Sequence, residues 1–464
     1  MEGKNRTYNV GPGQKYAELT EVPWLSLRAG DVVNIFRRPQ PYRTKIGLRA
    51  QGSAKLPVVI NGVTDAQCNR PEISGQDAVT ASDAAHESFF SKQYSEFLGT
   101  IFLYKAPSDR WGYRPTYITI QNLKITGARP TNHYTAQDGS SGTYAAGAAG
   151  IYAVVVEHLT IENCEITGNG NGVFVNSRSE DDASAYITLR RNHIYDNGVV
   201  DSYHEHNLYV QAARSLYEGN TIGQLIPGAR GSSLKDRSSG TVIRYNRIDA
   251  AARAIDLVEI EGGVAPILND PVYPDAWVYG NLIVSDFWSP ALASSLLIHW
   301  GGDNDPRYFR KGTLHFYNNT VVTRANRAQT YYVAIFDMPT AEQTVELRAN
   351  VFAHYGSALP NLGYTSGRIR LTGSNWIARG EARGWKPEVN VEQQGATVLT
   401  GNDPGLLPDY VPTPNSPLID HGDGAAKGGE SGLPPVLMQY AAPLGYVPRV
   451  RTGIADDLGA FERR

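Results

Sequence analysis

The hydrophobic and polar positions of this chain fall into short alternating runs rather than helical stripes. From about residue 117 one phrase recurs: a β-branched run, an Asn two residues ahead of an aliphatic or aromatic residue, then polar turn residues. Its copies are YITIQNLKITG (117–127), LTIENCEITGNG (159–170), ITLRRNHIYDNG (187–198), SLYEGNTIG (215–223), TVIRYNRIDA (241–250), WVYGNLIVSD (277–286), LHFYNNTVVT (314–323) and VELRANVFAHYG (345–356). The last six place Asn192, Asn220, Asn246, Asn281, Asn319 and Asn350 at one equivalent position, and the first two place Leu123 and Cys164 there. Between the phrases lies a second set of short runs: GIYAVVV (150–156), NGVFVNS (171–177), HNLYVQA (206–212), SSLKDR (232–237), RAIDLV (253–258), SLLIHW (295–300) and YYVAIFD (331–337). Their period of two and their β-branched content predict strands of about five or six residues.

No stretch with a 3.6-residue period separates these strands, which excludes a doubly wound sheet and a TIM barrel. A propeller would need four strands per blade at a steadier period. Short strands in repeats of irregular length predict an all-β protein, a right-handed parallel β-helix. Its Asn row turns inward at a corner and bonds the backbone of neighbouring coils. A single domain over 1–464 is expected. Residues 1–30 form an N-terminal cap with an amphipathic helix within 15–27, and residues 31–394 form coils with inserted loops. Residues 395–464 form a C-terminal tail packed on the solenoid. The cap is required because an open stack presents a bare strand edge. Long loops at 64–116, 128–149 and 259–276 project from the side, where clefts are built.

Composition narrows the function. Hydrophobic residues make up 41% and charged residues 19%, enough for a sizeable core and too apolar for global disorder. A net charge of −3 excludes an overall basic nucleic-acid binder, so no nucleic-acid partner is expected. No apolar run approaches the ~18 residues that a membrane span needs. The two cysteines, Cys68 and Cys164, exclude a disulfide-stapled scaffold and a cysteine-rich metal site. The opening MEGKNRTYNV has no apolar signal core, so the protein is cytosolic or has lost a signal peptide.

Stacking turns the repeat into chemistry, because equivalent positions of successive coils lie about 4.8 Å apart. With Leu208, Val210, Leu234, Ile255 and Leu257 inward, one outward row reads Phe174, Tyr209, Lys235, Asp256. Asn207 with Ser233 flanks it on one side, and Gln211 with Arg237 on the other. As a solvated strand face, such a Lys–Asp pair would contribute little. The segment 230–253, however, sets Arg230, Lys235, Arg237, Arg244, Arg247 and Arg253 against only Asp236 and Asp249, a local charge of +4. A basic groove lined by aromatic residues suits an anionic polymer, and an acidic polysaccharide fits better than nucleic acid. Upstream, DSYHEHN (201–207) adds Asp201, His204, Glu205 and His206. Zinc would need further ligands from elsewhere, so substrate binding by the histidines is the preferred role.

The opening VGPGQKYAEL…LRAGDVVNIF…YRTKIGLRAQGSAKLPVVINGV, the Asn-bearing coils and the closing SPLIDHGD…ADDLGAFE resemble secreted bacterial β-helix proteins. Many of these are polysaccharide lyases. HNLYV (206–210), SLKDR (233–237) and IDLVEIEGG (255–263) resemble an alginate-lyase-like subgroup. That resemblance implies a Lys and a Tyr on neighbouring coils as base and acid, at Lys235 and Tyr209. It also implies a secreted or periplasmic protein acting on an acidic polysaccharide; separately, a monomer is expected. The Asn-Gly-x-Glu-Ser/Thr-Ile-Arg signature of the chondroitinase-B-like group has no clear copy. No cofactor is therefore expected, calcium being the one ion to consider.

β-Elimination removes the C5 proton beside a uronate carboxylate and expels the 4-linked oxygen, so a cation or strong donor must meet that carboxylate. Arg237, His206 and Asn207 are the candidates, with Asp256, Gln211 and His204 as further substrate contacts. Arg residues near Lys235 would help it act as a base, and a Tyr hydroxyl can protonate the leaving oxygen; the two roles are interchangeable on sequence grounds. Two alternatives remain open. A glycoside hydrolase would use Asp256 with Glu259 or with Asp236, and a non-catalytic polysaccharide-binding or tailspike-like protein would use the same scaffold. Glu259 and Glu261 otherwise read as solvated loop acids.

Overall fold

A computed structural model describes residues 5–80, 96–178, 182–286, 296–364, 366–379, 390–424, 432–443 and 445–463. The expected loop 64–116 and tail 395–464 lie partly outside these residues. The chain forms two compact units. The first comprises Met1–Ser215, Leu225–Ala229 and Gly262–Ile267; the second comprises Leu216–Gln224, Arg230–Glu261 and Leu268–Arg464.

Three parallel sheets build the first unit. One runs through Thr7–Val10, Val32–Phe36, Val58–Val63, Thr116–Gln121, Glu157–Glu162 and Ser184–Arg190. A second runs through Ile46–Leu48, Gly99–Leu103, Ala149–Val154, Asn171–Asn176 and Leu208–Val210. The third runs through Glu72–Ser74, Lys124–Thr126, Glu165–Thr167 and His193–Tyr195. Register aligns like with like: Ile46, Ile101, Ile151, Val173 and Leu208 form one buried column, and Ile73, Ile125, Ile166 and Ile194 another. The period-two pattern of the sequence is the cause, since a slip of one residue would turn every column to solvent.

The second unit repeats the plan. Its face sheet runs through Ser232–Asp236, Arg253–Leu257, Leu296–Trp300, Tyr332–Asp337 and Leu359–Gly363. Two further parallel sheets pair Thr241–Arg244 with Ala276–Tyr279, Thr313–Tyr317, Thr344–Arg348, Arg368–Leu371 and Asn390–Gln393, and Arg247–Asp249 with Leu282–Asp286, Thr320–Arg324, Val351–Tyr355, Asn375–Ala378 and Val398–Gly401. C-terminal residues lie on these coils. Val436 packs against Tyr245, Tyr279 and Tyr317, and the Ala460 N–H donates to Thr320 Oγ1 at 2.9 Å.

All six ladder asparagines are fully buried. In the first unit Asn192 Oδ1 accepts from the Cys164 N–H at 2.9 Å, and its Nδ2 donates to the Ile161 carbonyl at 2.9 Å. In the second unit Asn220, Asn246, Asn281, Asn319 and Asn350 bond in series, and Asn375, absent from the repeat alignment, ends the row. From Asn246 to Asn375 each Oδ1 takes the backbone N–H of the Asn one coil earlier, as Asn281 does for Asn246 at 2.9 Å. The corner itself is left-handed. The preceding residue has φ 64° at Gly219, 65° at Gly280, 58° at Tyr245 and 50° at Asn318. Glycine adopts this conformation without steric cost, which explains its place in YEGN and VYGN.

The amphipathic segment 15–27 is not one helix. It folds as two short 3₁₀ turns, Leu19–Glu21 and Trp24–Ser26, because Pro23 between them lacks an N–H and disfavours helical geometry in Val22. Coil structure begins earlier than residue 31, with the strand Thr7–Val10.

Asn281→Ala should destabilise the protein by about 1–3 kcal/mol for each buried backbone or amide group left without a partner. Urea unfolding should therefore show a large loss, whereas a change within about 0.5 kcal/mol would mean that the ladder carries no stability.

Candidate active site

In the first unit the outward row of the face sheet is aromatic. Register places Phe102, Tyr152, Phe174 and Tyr209 on successive strands. Phe174 stacks on Tyr152 at 4.7 Å and on Tyr209 at 4.7 Å, the latter pair only 15° from parallel. Tyr209 is 8% exposed. His206 is buried with its ring 5.9 Å from that of Tyr209, and its backbone N–H donates to Asn171 Oδ1 at 2.8 Å.

Other candidates here serve the frame. Asn207 is fully buried and accepts from Asn197 Nδ2 at 2.9 Å. It precedes the strand Leu208–Val210, so the outward alternation drawn from that strand does not extend to it. Gln211 is buried just past the strand, its N–H donating to the Val175 carbonyl at 2.8 Å. His204 and Asp201 are exposed, whereas Glu205 and His206 are buried, so the DSYHEH residues do not share one environment. Among the described residues no three His, Cys, Asp or Glu side chains group closely enough to hold a metal ion. Cys68 and Cys164 do not pair with each other; Cys68 is exposed and Cys164 buried.

In the second unit the outward row is charged and longer than the sequence suggested. Lys235 pairs in register with Asp256, Asp256 with His299, and His299 with Asp337. Lys235 Nζ donates to Asp256 Oδ2 at 2.7 Å and to Asp303 Oδ2 at 3.0 Å. Asp256 Oδ1 meets His299 Nδ1 at 3.0 Å and Arg253 Nη1 at 3.4 Å, and Arg253 Nη2 reaches Asp337 Oδ2 at 3.1 Å. Burial alone would raise the pKa of Asp256, but Lys235, His299 and Arg253 outweigh it and hold the carboxyl well below the usual range. Asp303 is lowered as well: partial burial and Asp256 oppose the shift, and Lys235 and His299 prevail.

Arg237 is almost entirely buried. It donates to the Glu259 carbonyl at 2.6 Å and pairs with Glu261 at 3.0 Å and with Asp303 at 3.6 Å. Glu259 is not a solvated loop acid. It is 1% exposed, and its carboxylate accepts the backbone N–H groups of Asp303, Asn304 and Asp305 at 2.6–2.8 Å, bracing the loop that carries Asp303. Asp236 is equally committed, accepting from Tyr217, Ser238, Thr241 and Arg310. Neither has a carboxylate to spare for the hydrolytic pairs considered from sequence.

Two further expectations change. The +4 segment is matched by carboxylates beyond it: Glu218 meets Arg244, Asp256 of the same strand and Asp337 of another coil meet Arg253, and Glu259, Glu261 and Asp303 meet Arg237. The neighbours of Lys235 Nζ are carboxylates rather than guanidiniums. His299, Asp303 and Asp337 were missed. Aligning SLLIHW and YYVAIFD with RAIDLV would have extended the row to His299 and Asp337, whereas Asp303 sits on a loop with no repeat signal.

A family model described as "Right handed beta helix region" matches residues 112–267. With the parallel sheets, this makes the fold a right-handed parallel β-helix. Among solved structures the chain is similar to an alginate lyase from Paenibacillus sp. str. FPU-7, at 14% identity over 80% of this chain and 93% of that one, with a TM-score of 0.42. It is similar to pectate lyase Pel9A at 13% identity over 100% and 97%, TM-score 0.46. It is also similar to a GH136 lacto-N-biosidase from Eubacterium ramulus at 13% identity over 85% and 68%, TM-score 0.46. No curated protein matches it. Among the described residues no helix is long and apolar enough to cross a membrane.

Asp256→Asn should cost about 3–5 kcal/mol at neutral pH, because it leaves the buried Lys235 and its neighbouring cations under-matched. Since the folded-state pKa is depressed, the carboxylate's contribution is complete above the ordinary value of 3.8 and disappears as pH falls below it. Urea titrations from pH 7 to pH 2 should show the variant and wild type converging only in acid; a constant difference would disprove the linkage.

Proposed function

We propose that the protein is a polysaccharide lyase that cleaves a 4-linked uronate polymer, such as alginate, by β-elimination. The observation that carries this reading is the Asp303 carboxylate shared between Lys235 Nζ at 3.0 Å and Arg237 Nη2 at 3.6 Å. Two cations converging on one carboxylate are what elimination requires beside the C5 proton, where the developing enolate must be neutralised. Asp303 is about one-third exposed, while both cations are nearly buried. A substrate carboxylate that displaces Asp303 inherits both contacts. Lys235 and Arg237 then form the carboxylate clamp, and Lys235 is reassigned from base to neutralising donor.

The base is assigned to His299. An ionised Asp256 only accepts hydrogen bonds, so its contact with Nδ1 fixes the proton there and leaves Nε2 as the acceptor. For Tyr209, in the first unit, a proton-donor role is supported by the family resemblance alone. His206, Gln211 and His204 remain proposed substrate contacts, and Asn207 a frame residue. An extracellular or periplasmic location follows from a polymeric substrate. A hydrolase would need one carboxylic acid with a raised pKa. Asp256 and Asp303 are both lowered, which favours elimination.

Acidic polysaccharides incubated with the protein should yield unsaturated uronate that absorbs in the ultraviolet. Lys235→Ala, His299→Ala and Tyr209→Phe should each lower kcat/KM by about 10²–10⁴-fold. Asp303→Asn, which removes the competing carboxylate, should instead lower KM. Reducing ends without ultraviolet absorbance would make the enzyme a hydrolase, and an unchanged KM in Asp303→Asn would remove the clamp.

A further inference from the structure

A pocket lies elsewhere in the second unit, on a different sheet from the Lys235 row. It is open to solvent, has a volume of about 300 Å³ and is lined by Arg324, Tyr355, Leu406, Leu407, Pro408 and Tyr410. Arg324 and Tyr355 end the adjacent paired strands Thr320–Arg324 and Val351–Tyr355. The other four residues come from a C-terminal turn anchored to the coils: Leu406 and Tyr410 pack on the cluster around Val351 and Trp376, and Tyr410 also packs beside Phe461. The volume falls at the small end of ligand sites, enough for a single ring rather than a polymer segment.

The lining is chemically specific. The Arg324 guanidinium lies 5.9 Å from the Tyr355 ring centre and 5.8 Å from that of Tyr410, and its Nη2 donates to the Tyr410 hydroxyl at 3.3 Å. Among the described residues Arg324 enters no ion pair, although Asp286 pairs with it in register. The Tyr355 hydroxyl is turned away, donating to Asp403 Oδ1 at 3.2 Å. Leu406, Leu407 and Pro408 form an apolar wall, with Leu407 42% exposed. One guanidinium within about 6 Å of two ring centres, with acidic neighbours at the margin, suits a planar monoanion better than a phosphate dianion. An apolar wall opposite it suits the C–H face of a sugar ring.

We infer that this cavity is a second, non-catalytic carbohydrate site that takes one uronate ring, its carboxylate on Arg324 and its apolar face on Leu406–Pro408. The choice of a uronate among carboxylated rings rests on the substrate class proposed above, whereas the site itself rests on the cavity.

Calorimetric titration with methyl β-D-glucuronide and methyl β-D-glucoside tests it. Arg324→Ala and Leu407→Trp, the second filling the cavity from an exposed position, should each weaken glucuronide binding by at least about ten-fold, the worth of a charge-assisted hydrogen bond. Lys235→Ala should retain that binding, and the glucoside should bind at least about ten-fold more weakly than the glucuronide. If Arg324→Ala unfolds, Leu407→Trp decides. No binding by the wild type, equal affinity for the glucoside, or loss in Lys235→Ala with retention in Arg324→Ala would each overturn the inference. A wild type that cleaves no polymer yet binds glucuronide through Arg324 would overturn the proposed lyase and leave this site standing.

Discussion

The interaction on which the fold depends is the side-chain amide at the coil corner. A chain turning sharply from one parallel sheet into the next leaves backbone N–H and C=O groups that its own strands do not use, and burial makes them costly. An inward Asn answers with one acceptor and two donors. Asn281 takes the backbone N–H of Asn246 and gives its own amide protons to Ile243, Tyr279 and Asn319. Each amide thus joins successive coils within the second unit. Because this fixes the offset between coils, it also fixes which outward residues become neighbours.

The charged row inherits its order from that offset. Lys235, Asp256, His299 and Asp337 are far apart in sequence and one strand apart in space. All four are nearly buried, so each charge needs a partner. Lys235 meets Asp256, His299 bonds the same carboxylate, and Arg253 bridges the two acids of the row. The arrangement does more than stabilise. Asp256 is kept ionised by its neighbours, and an ionised carboxylate determines which nitrogen of His299 carries the proton.

Much of the fold was legible in the sequence, because a repeat is a long-range signal written locally. The Asn positions and the period of two gave the corner ladder and the inward face, down to Leu234 and Ile255. The N-terminal helix failed for a local reason, Pro23, that was itself visible. The site was less legible. Counting charges along 230–253 suggested a basic groove, yet parallel stacking imports Glu218, Glu259, Asp303 and Asp337 from other coils, and no count along one segment sees them. Glu259 was misread for the same reason, since its three backbone partners belong to a loop more than forty residues away.

The proposed binding of a substrate carboxylate by such a neutralised row has an energetic logic. Two nearly buried cations, Lys235 and Arg237, would be costly without anionic company, so a site meant to receive a carboxylate must hold one of its own while empty. The company cannot be equally fixed at every point. Asp256 is bonded on both oxygens and lies in a strand, and Glu259 is locked by three backbone donors; neither can leave without breaking the frame. Asp303 is the partly exposed one, on a loop whose backbone, rather than whose carboxylate, Glu259 secures. Its side chain can therefore turn to solvent while the loop stays in place. In the proposed reading an incoming carboxylate exchanges one ion pair for another and avoids the desolvation of bare cations. Binding free energy is left for contacts that discriminate one sugar from another.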